Sequence, residues 1–528
     1  MSTDAVALAG RAHGQASAAD HWRLSARVLA QLIVRGEISA VEVVESHIAR
    51  IEHVNPLLNA VVVRRYDQAL AEAQEADASR QRGEPGGPLR GVPITIKECI
   101  DLAGTPSTFG IPSRANHRAD ADDPHVARLR AAGAIVLAKT NVPQVLLSFE
   151  TDNPLYGRTL NPWDNARTPG GSSGGQAAIT AAGGVPLGLG TDLGGSSRLP
   201  PAYCGIVGYK ATAGRMPDNG RFSEPFGQQT VQSQIGVISR TVDDAWLGLQ
   251  VAAGDQLIPL RDPAEVDLGR LRVGFYVDDG AFSPCAAAQR AVMEAARLLA
   301  SAGVDVVEFQ PSSPGLGFEL FMRTTTADGG RHLQRILEGS KRSRSIALML
   351  NAVSAGPMKR AVLTSALRAS GRGKLAATLP WFADHSADGY FRTVERIYDY
   401  RVAFGQSLDV LEGGPLDAVL SPATTLPALR HGGADEAPFG TYTLLASLLG
   451  WPAGVVPLTT VGDTEQTRLA RSTDRMDRAA AKSEADSAGL PIGVQVMARA
   501  FRDDVALALM HALERSAPSA PRTPIDPR

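Results

Sequence analysis

Apolar positions along the chain fall in two patterns, one with helical spacing and one in short contiguous runs. Val44, Ile48 and Ile51 fall at i, i+4 and i+7 behind Ser39, and Glu42 completes a capping box with that serine, so the spacing predicts a helix that Pro56 ends. Residues 91–96 form a short β-branched run that reads as a strand with Lys97 at its C-terminal end. Asp123 before Pro124 predicts a helix start, with Gly133 as the stop and a buried strand over 134–138. Farther on, strands are expected at 271–277, 304–309 and 493–497. Helices are expected at 286–302 and 503–514, and apolar runs stand at 418–420 and 454–458.

Strand and helix alternate throughout, which predicts an α/β layered fold in one large domain. The domain is expected over 23–515, between flexible tails at 1–22 and 516–528. Residues 461–488 are charged and poor in large apolar side chains, and they read as a solvated insertion. Between 153 and 215 glycine is densest. Gly170–Gly175 precedes a small-residue helix expected over 176–182, and then comes Thr191-Asp192-Leu193-Gly194-Gly195-Ser196. Glycine at that density implies turns or a site lined by backbone N–H groups.

Composition narrows the function classes. The 528 residues carry 53 Lys and Arg against 55 Asp and Glu, a formal net charge of −2, so no polyanion-binding surface is expected and nucleic acid is not a predicted partner. Hydrophobic residues make up 44%, enough for a packed core. Cys99, Cys204 and Cys285 are too few and too scattered for a disulfide framework or a zinc site, so a reducing, cytoplasmic setting is expected. Neither a signal peptide nor a membrane-spanning helix is predicted.

Three constellations compete for the chemistry. Gly171-Ser172-Ser173-Gly174-Gly175 meets the G-x-S-x-G spacing, but its lead-in (161–169) is loop rather than strand. His431 and His511 are its candidate bases in that reading. Gly188, Gly190, Gly194 and Gly195 do not fit a dinucleotide fingerprint. The third constellation is a lysine–serine–serine relay. A serine hydroxyl is a poor nucleophile until a base takes its proton, and a buried lysine can be that base. Lys97 would be the base and, of Ser172 and Ser196, one the nucleophile and the other a shuttle between it and the amine, with the N–H groups of Leu193, Gly194, Gly195 and Ser196 facing the oxyanion. Asp192 and Arg198 would pair to hold the loop. Cys99 and Cys204 read as buried fillers, and Lys139 as a residue that ends its strand in solvent.

These blocks resemble the amidase signature family, over about 25–515, with the signature core at about 90–215. Lys97, Ser172 and Ser196 stand 75 and 24 residues apart, as in the family pattern, and the resemblance implies Ser196 as the acylated nucleophile, Ser172 as the bridging serine and Lys97 as the base. The resemblance implies a twisted mixed central sheet flanked by helices on both faces, a cis peptide before Ser172, and hydrolysis of a linear amide through an acyl-serine without metal or cofactor. Asn153-Pro154-Leu155-Tyr156-Gly157, Tyr442-Thr443-Leu444-Leu445 and 452–457 resemble the fatty acid amide hydrolases in particular. That likeness implies a lipophilic or fatty acyl amide as substrate, with Leu146, Leu147 and Leu193 lining an acyl channel. The alternatives are aryl acylamides, carbamates or esters on the same machinery, a glutaminyl-amidotransferase subunit, or a non-catalytic scaffold. The basic, apolar stretch within 356–402 reads either as an amphipathic cap in peripheral contact with a membrane or as a plain surface helix. A second copy of the chain is a further partner left open.

Overall fold

The computed structural model describes residues 18–217, 228–382, 386–435, 441–467, 473–521 and 523–528. Among them eleven strands form one mixed sheet. In spatial order these are Val61–Arg64, Ile135–Thr140, Pro93–Lys97, Leu187–Asp192, Gln234–Ser239, Val207–Lys210, Ala453–Thr460, Pro491–Ala498, Ala418–Pro422, Arg272–Phe275 and Asp305–Glu308. Ile135–Thr140, Pro93–Lys97 and Leu187–Asp192 run parallel, the next five pairings are antiparallel, and the last two are parallel. Every residue of Pro93–Lys97, Ile135–Thr140, Leu187–Asp192 and Gln234–Ser239 is buried, which requires cover on both faces of the sheet. This is the expected α/β architecture around a mixed central sheet.

The register places the site. Pro93–Lys97 and Leu187–Asp192 are parallel neighbours with Ile96 opposite Leu189, so their carboxyl ends leave the sheet at one edge. Ligands of open α/β sheets bind at such carboxyl ends.

Several local expectations need correcting. The capping box forms, with Ser39 Oγ accepting from Glu42 N–H and Glu42 Oε2 accepting from Ser39 N–H, but Pro56 does not end the helix, which runs Ala40–Leu58. The stop comes from Asn55, whose Oδ1 accepts from the N–H groups of Ala60 and Val61 and turns the chain into the first strand. Of the expected solvated insertion 461–488, residues 468–472 lie outside the described residues, and the described remainder is not simply solvated. The helix Arg475–Glu484 buries Met476, Ala480, Ser483 and Glu484, and buried Arg167 donates to the carbonyls of Ser483, Ala485 and Asp486. The C-terminal stretch is also pinned: Ile525 is buried, its N–H bonds Ala181 O, and Asp526 pairs with Arg50. At the other end Trp22 is buried against the guanidinium groups of Arg23 and Arg50, while residues 1–17 of the expected tail lie outside the described residues.

Candidate active site

Lys97 ends its strand fully buried, and its Nζ lies 2.7 Å from Ser172 Oγ and 2.7 Å from Thr191 Oγ1. Ser172 is buried on the loop before the helix Gly174–Ala181, and the Gly171–Ser172 peptide is cis. A Cβ at Gly171 would sit 2.3 Å from Ser148 O and 3.0 Å from Glu150 N, so the chain at 148–150 presses on the backbone beside Ser172. Thr191 belongs to the strand Leu187–Asp192. Ser196 is half-buried on the loop between that strand and the helix Leu199–Cys204, and its Oγ makes no hydrogen bond among the described residues. Two of the three residues of the expected relay are therefore in contact, and the third lies on the loop that follows the Leu187–Asp192 strand.

That loop is held by a buried ion pair. Asp192 and Arg198 are both fully buried. Arg198 uses all five of its N–H donors: Nε to Asp192 Oδ2, Nη2 to Asp192 Oδ1 and Ser447 Oγ, Nη1 to Thr443 O and Gln495 Oε1, each at 2.7–2.9 Å. Asp192 is equally satisfied, because Oδ1 also accepts from Gly195 N–H and Oδ2 from Ser197 N–H. Burial by itself would raise the Asp192 pKa. The charge and hydrogen bonds of Arg198, with lesser help from Lys210 and the Gly195 N–H, outweigh it and hold the carboxyl below the usual aspartate value.

The oxyanion expectation needs one correction. Gly195 N–H is committed to Asp192 Oδ1 at 2.7 Å, so it is not an open donor. The N–H groups of Leu193, Gly194 and Ser196 have no acceptor among the described residues. Gly195 takes φ 119°, a region that favours glycine, and a Cβ there would lie 2.0 Å from Thr443 Oγ1. Beside Gly194 the wall is apolar, since Leu444 and Phe321 both come within reach of a Cβ built there, and half-buried Leu193 joins the same cluster. Leu146 and Leu147 are half-buried against the main core, immediately before the 148–150 segment.

The remaining candidates fall elsewhere. His431 Nδ1 lies 3.1 Å from Glu150 Oε1, and His511 Nε2 lies 3.1 Å from Asp243 Oδ1, neither of them bonded to a serine of the relay. Lys139 does not end its strand in solvent. It is buried, with Nζ bonded to Pro106 O and Ser107 Oγ, because Ile135–Thr140 is an interior strand. Cys99 and Cys204 are buried cysteines outside any disulfide, and burial pushes the Cys204 thiol far up. Among the described residues no group of three or more His, Cys, Asp or Glu is arranged to hold a metal ion. Thr191, Thr443, Ser447 and Gln495 were not singled out as site residues from the sequence. Thr443 sits within the quoted Tyr442–Leu445 block, whereas Gln495 carries no local signal.

The family model described as Amidase matches residues 42–507. The chain belongs to the amidase signature family. Curated relatives of this amidase include fatty-acid amide hydrolase 1 of Sus scrofa, 33% identical over 505 residues and covering 92% of this chain and 84% of that protein. Another is a glutamyl-tRNA(Gln) amidotransferase component from Salinispora tropica, 32% identical over 538 residues, covering 94% and 97%. Among solved structures, a fatty acid amide hydrolase superposes with a TM-score of 0.81 over 98% of this chain and 89% of that one, at 23% identity, which is a likeness of fold. The amidase is thus a hydrolase of amide carbon–nitrogen bonds.

Proposed function

We propose that the amidase cleaves a lipophilic or fatty acyl amide through an acyl-Ser196 intermediate. The observation that carries this reading is the 2.7 Å contact between Lys97 Nζ and Ser172 Oγ. Ser196 Oγ attacks the carbonyl carbon, its proton passes to Ser172 Oγ, and the Ser172 proton passes to the uncharged Lys97 amine. The N–H groups of Leu193, Gly194 and Ser196 receive the negative oxygen. Collapse breaks the carbon–nitrogen bond while the proton returns from Lys97 through Ser172 to the leaving amine. Water then attacks the ester by the same relay, releasing the acid and restoring Ser196.

The lipophilic preference is supported by Phe321, Leu444 and Leu193 beside Gly194, and by the likeness to the porcine fatty-acid amide hydrolase. The Salinispora relative supports a second reading, a glutamine-dependent amidotransferase component. Turnover of N-acylethanolamines, p-nitroanilides and glutamine, compared by kcat/KM, separates the two. Ser196→Ala is expected to abolish both turnover and fluorophosphonate labelling, and near-wild-type amidase rates in that variant would end the acyl-serine reading.

Peripheral contact with an anionic bilayer belongs to the same proposal. No described helix is long and apolar enough to cross a membrane. In the helix Pro357–Ala369, Met358 is 84% and Val362 66% exposed one turn apart, with Lys359 and Arg368 exposed beside them and no acidic residue in the helix.

A further inference from the structure

We propose that Thr443 is a positioning residue for the oxyanion-binding loop, holding the Gly194–Gly195 peptide and thereby the placement of the N–H groups on either side of it. The inference rests on the acyl-serine reading above and adds a residue to it.

The Gly194–Gly195 peptide is gripped at both ends. Thr443 Oγ1 donates to Gly194 O at 2.9 Å, and Gly195 N–H donates to Asp192 Oδ1 at 2.7 Å. A trans peptide points its C=O and N–H in opposite directions, so the two bonds fix its plane from opposite sides. The anchors are themselves joined: Arg198 donates to Thr443 O at 2.8 Å and to both oxygens of Asp192 at 2.9 Å. Asp192, Arg198, Thr443 and the peptide thus close a ring of hydrogen bonds, all of it buried except the face toward Leu193 and Ser196.

Such a grip is needed because the peptide joins two glycines. Neither has a Cβ to restrict φ and ψ, so the loop has little preference of its own for one shape. The missing Cβ atoms are also what admits Thr443, since any side chain at Gly195 would collide with the threonine hydroxyl. Oxyanion donors work because they are aimed in advance, and displacement of about 1 Å can cost on the order of a hundredfold in rate. Within the ring, it is the Thr443 hydroxyl that holds the Gly194 carbonyl, so its removal frees that end of the peptide while the Gly195 N–H bond and the ion pair stay.

The test uses the full chain, with Thr443→Val and Thr443→Ala removing the hydroxyl and Thr443→Ser keeping it. A short-chain p-nitroanilide gives kcat and KM, a fluorophosphonate gives a labelling rate that also draws on the oxyanion donors, and thermal unfolding reports folding. Val and Ala are expected to lower kcat and the labelling rate together by about 10–100-fold with little change in KM, and Ser to stay near wild type. Val or Ala keeping wild-type kcat would overturn the proposal. So would a loss confined to Tm, or Ser falling as far as Val. Ser196→Ala run alongside keeps the outcomes apart: turnover in that variant defeats the acyl-serine reading, whereas an active Thr443→Val beside a dead Ser196→Ala defeats only the role of Thr443.

Discussion

Lys97 Nζ lies as close to Thr191 Oγ1 as to Ser172 Oγ, 2.7 Å in each case. The amine therefore sits between a hydroxyl from the neighbouring strand and a hydroxyl from the glycine-rich loop, and its position is set by the strand pairing as much as by its own backbone. Thr191→Val keeps the branched shape and removes one partner. We expect kcat/KM for an amide substrate to fall about tenfold, the size of one hydrogen bond lost at a buried amine, with folding intact. Steady-state kinetics against thermal melting checks this, and unchanged kcat/KM would show that Thr191 does not orient the amine.

Arg198 is expected to be a stability residue first. Arg198→Leu leaves Asp192 charged and buried without its cation, a change that typically costs about 3–5 kcal/mol. Urea unfolding at neutral pH measures it. Because the Asp192 carboxyl is held low in the folded protein, the pair's contribution is present above the ordinary aspartate pKa and is lost as pH falls through the folded value. The gap between wild type and Arg198→Leu should accordingly narrow in acid.

Lys210 gives a different pH signature. It is fully buried at the end of Val207–Lys210, and burial first, then the Arg198 charge, lowers its pKa from 10.5 to about 7, against the pull of Asp192 and Asp503. In the window from about 7 to 10.5 the unfolded chain binds a proton that the folded one does not, so stability from this residue rises with pH. Lys210→Met is therefore expected to raise Tm relative to wild type more at pH 6 than at pH 10. A pH-independent difference would show that the amine carries the same protonation state in both forms.

The exposed Met358 and Val362 face leads to a membrane prediction. Flotation with vesicles rich in anionic lipid is expected to carry the wild-type chain, and Met358→Ser/Val362→Ser or Arg368→Glu to weaken it. Equal flotation of all forms, or none at all, would remove the cap from the reading.

Local signals were legible where one short segment held the whole cause. The capping box at Ser39, the Asp123-Pro124 helix start and the strand ending at Lys97 each depend on a few neighbouring residues, and each is present. The α/β class and the identity of the lysine and serine candidates were readable for the same reason, since motif and spacing lie along the chain. Pro56 misled because the decisive hydrogen bonds are those that Ala60 and Val61, beyond the helix, donate to Asn55 Oδ1. The 461–488 segment misled because its cover, Arg167, is hundreds of residues away.

What the chain order alone determined was the inventory: the lysine and serine side chains suited to the proposed acyl transfer, and the strand and glycine-rich loops that carry them. The tertiary structure decided their partners. Thr191 meets Lys97 because two parallel strands end at one edge of the sheet, and Gly195 gives its N–H to an Asp192 carboxylate that Arg198 holds while Thr443 and Gln495, from distant elements, fix that guanidinium. Hydrogen bonding is short-ranged, so the partner of a buried group is whatever the packing brings within about 3 Å, and no pattern of spacing along the sequence encodes that distance.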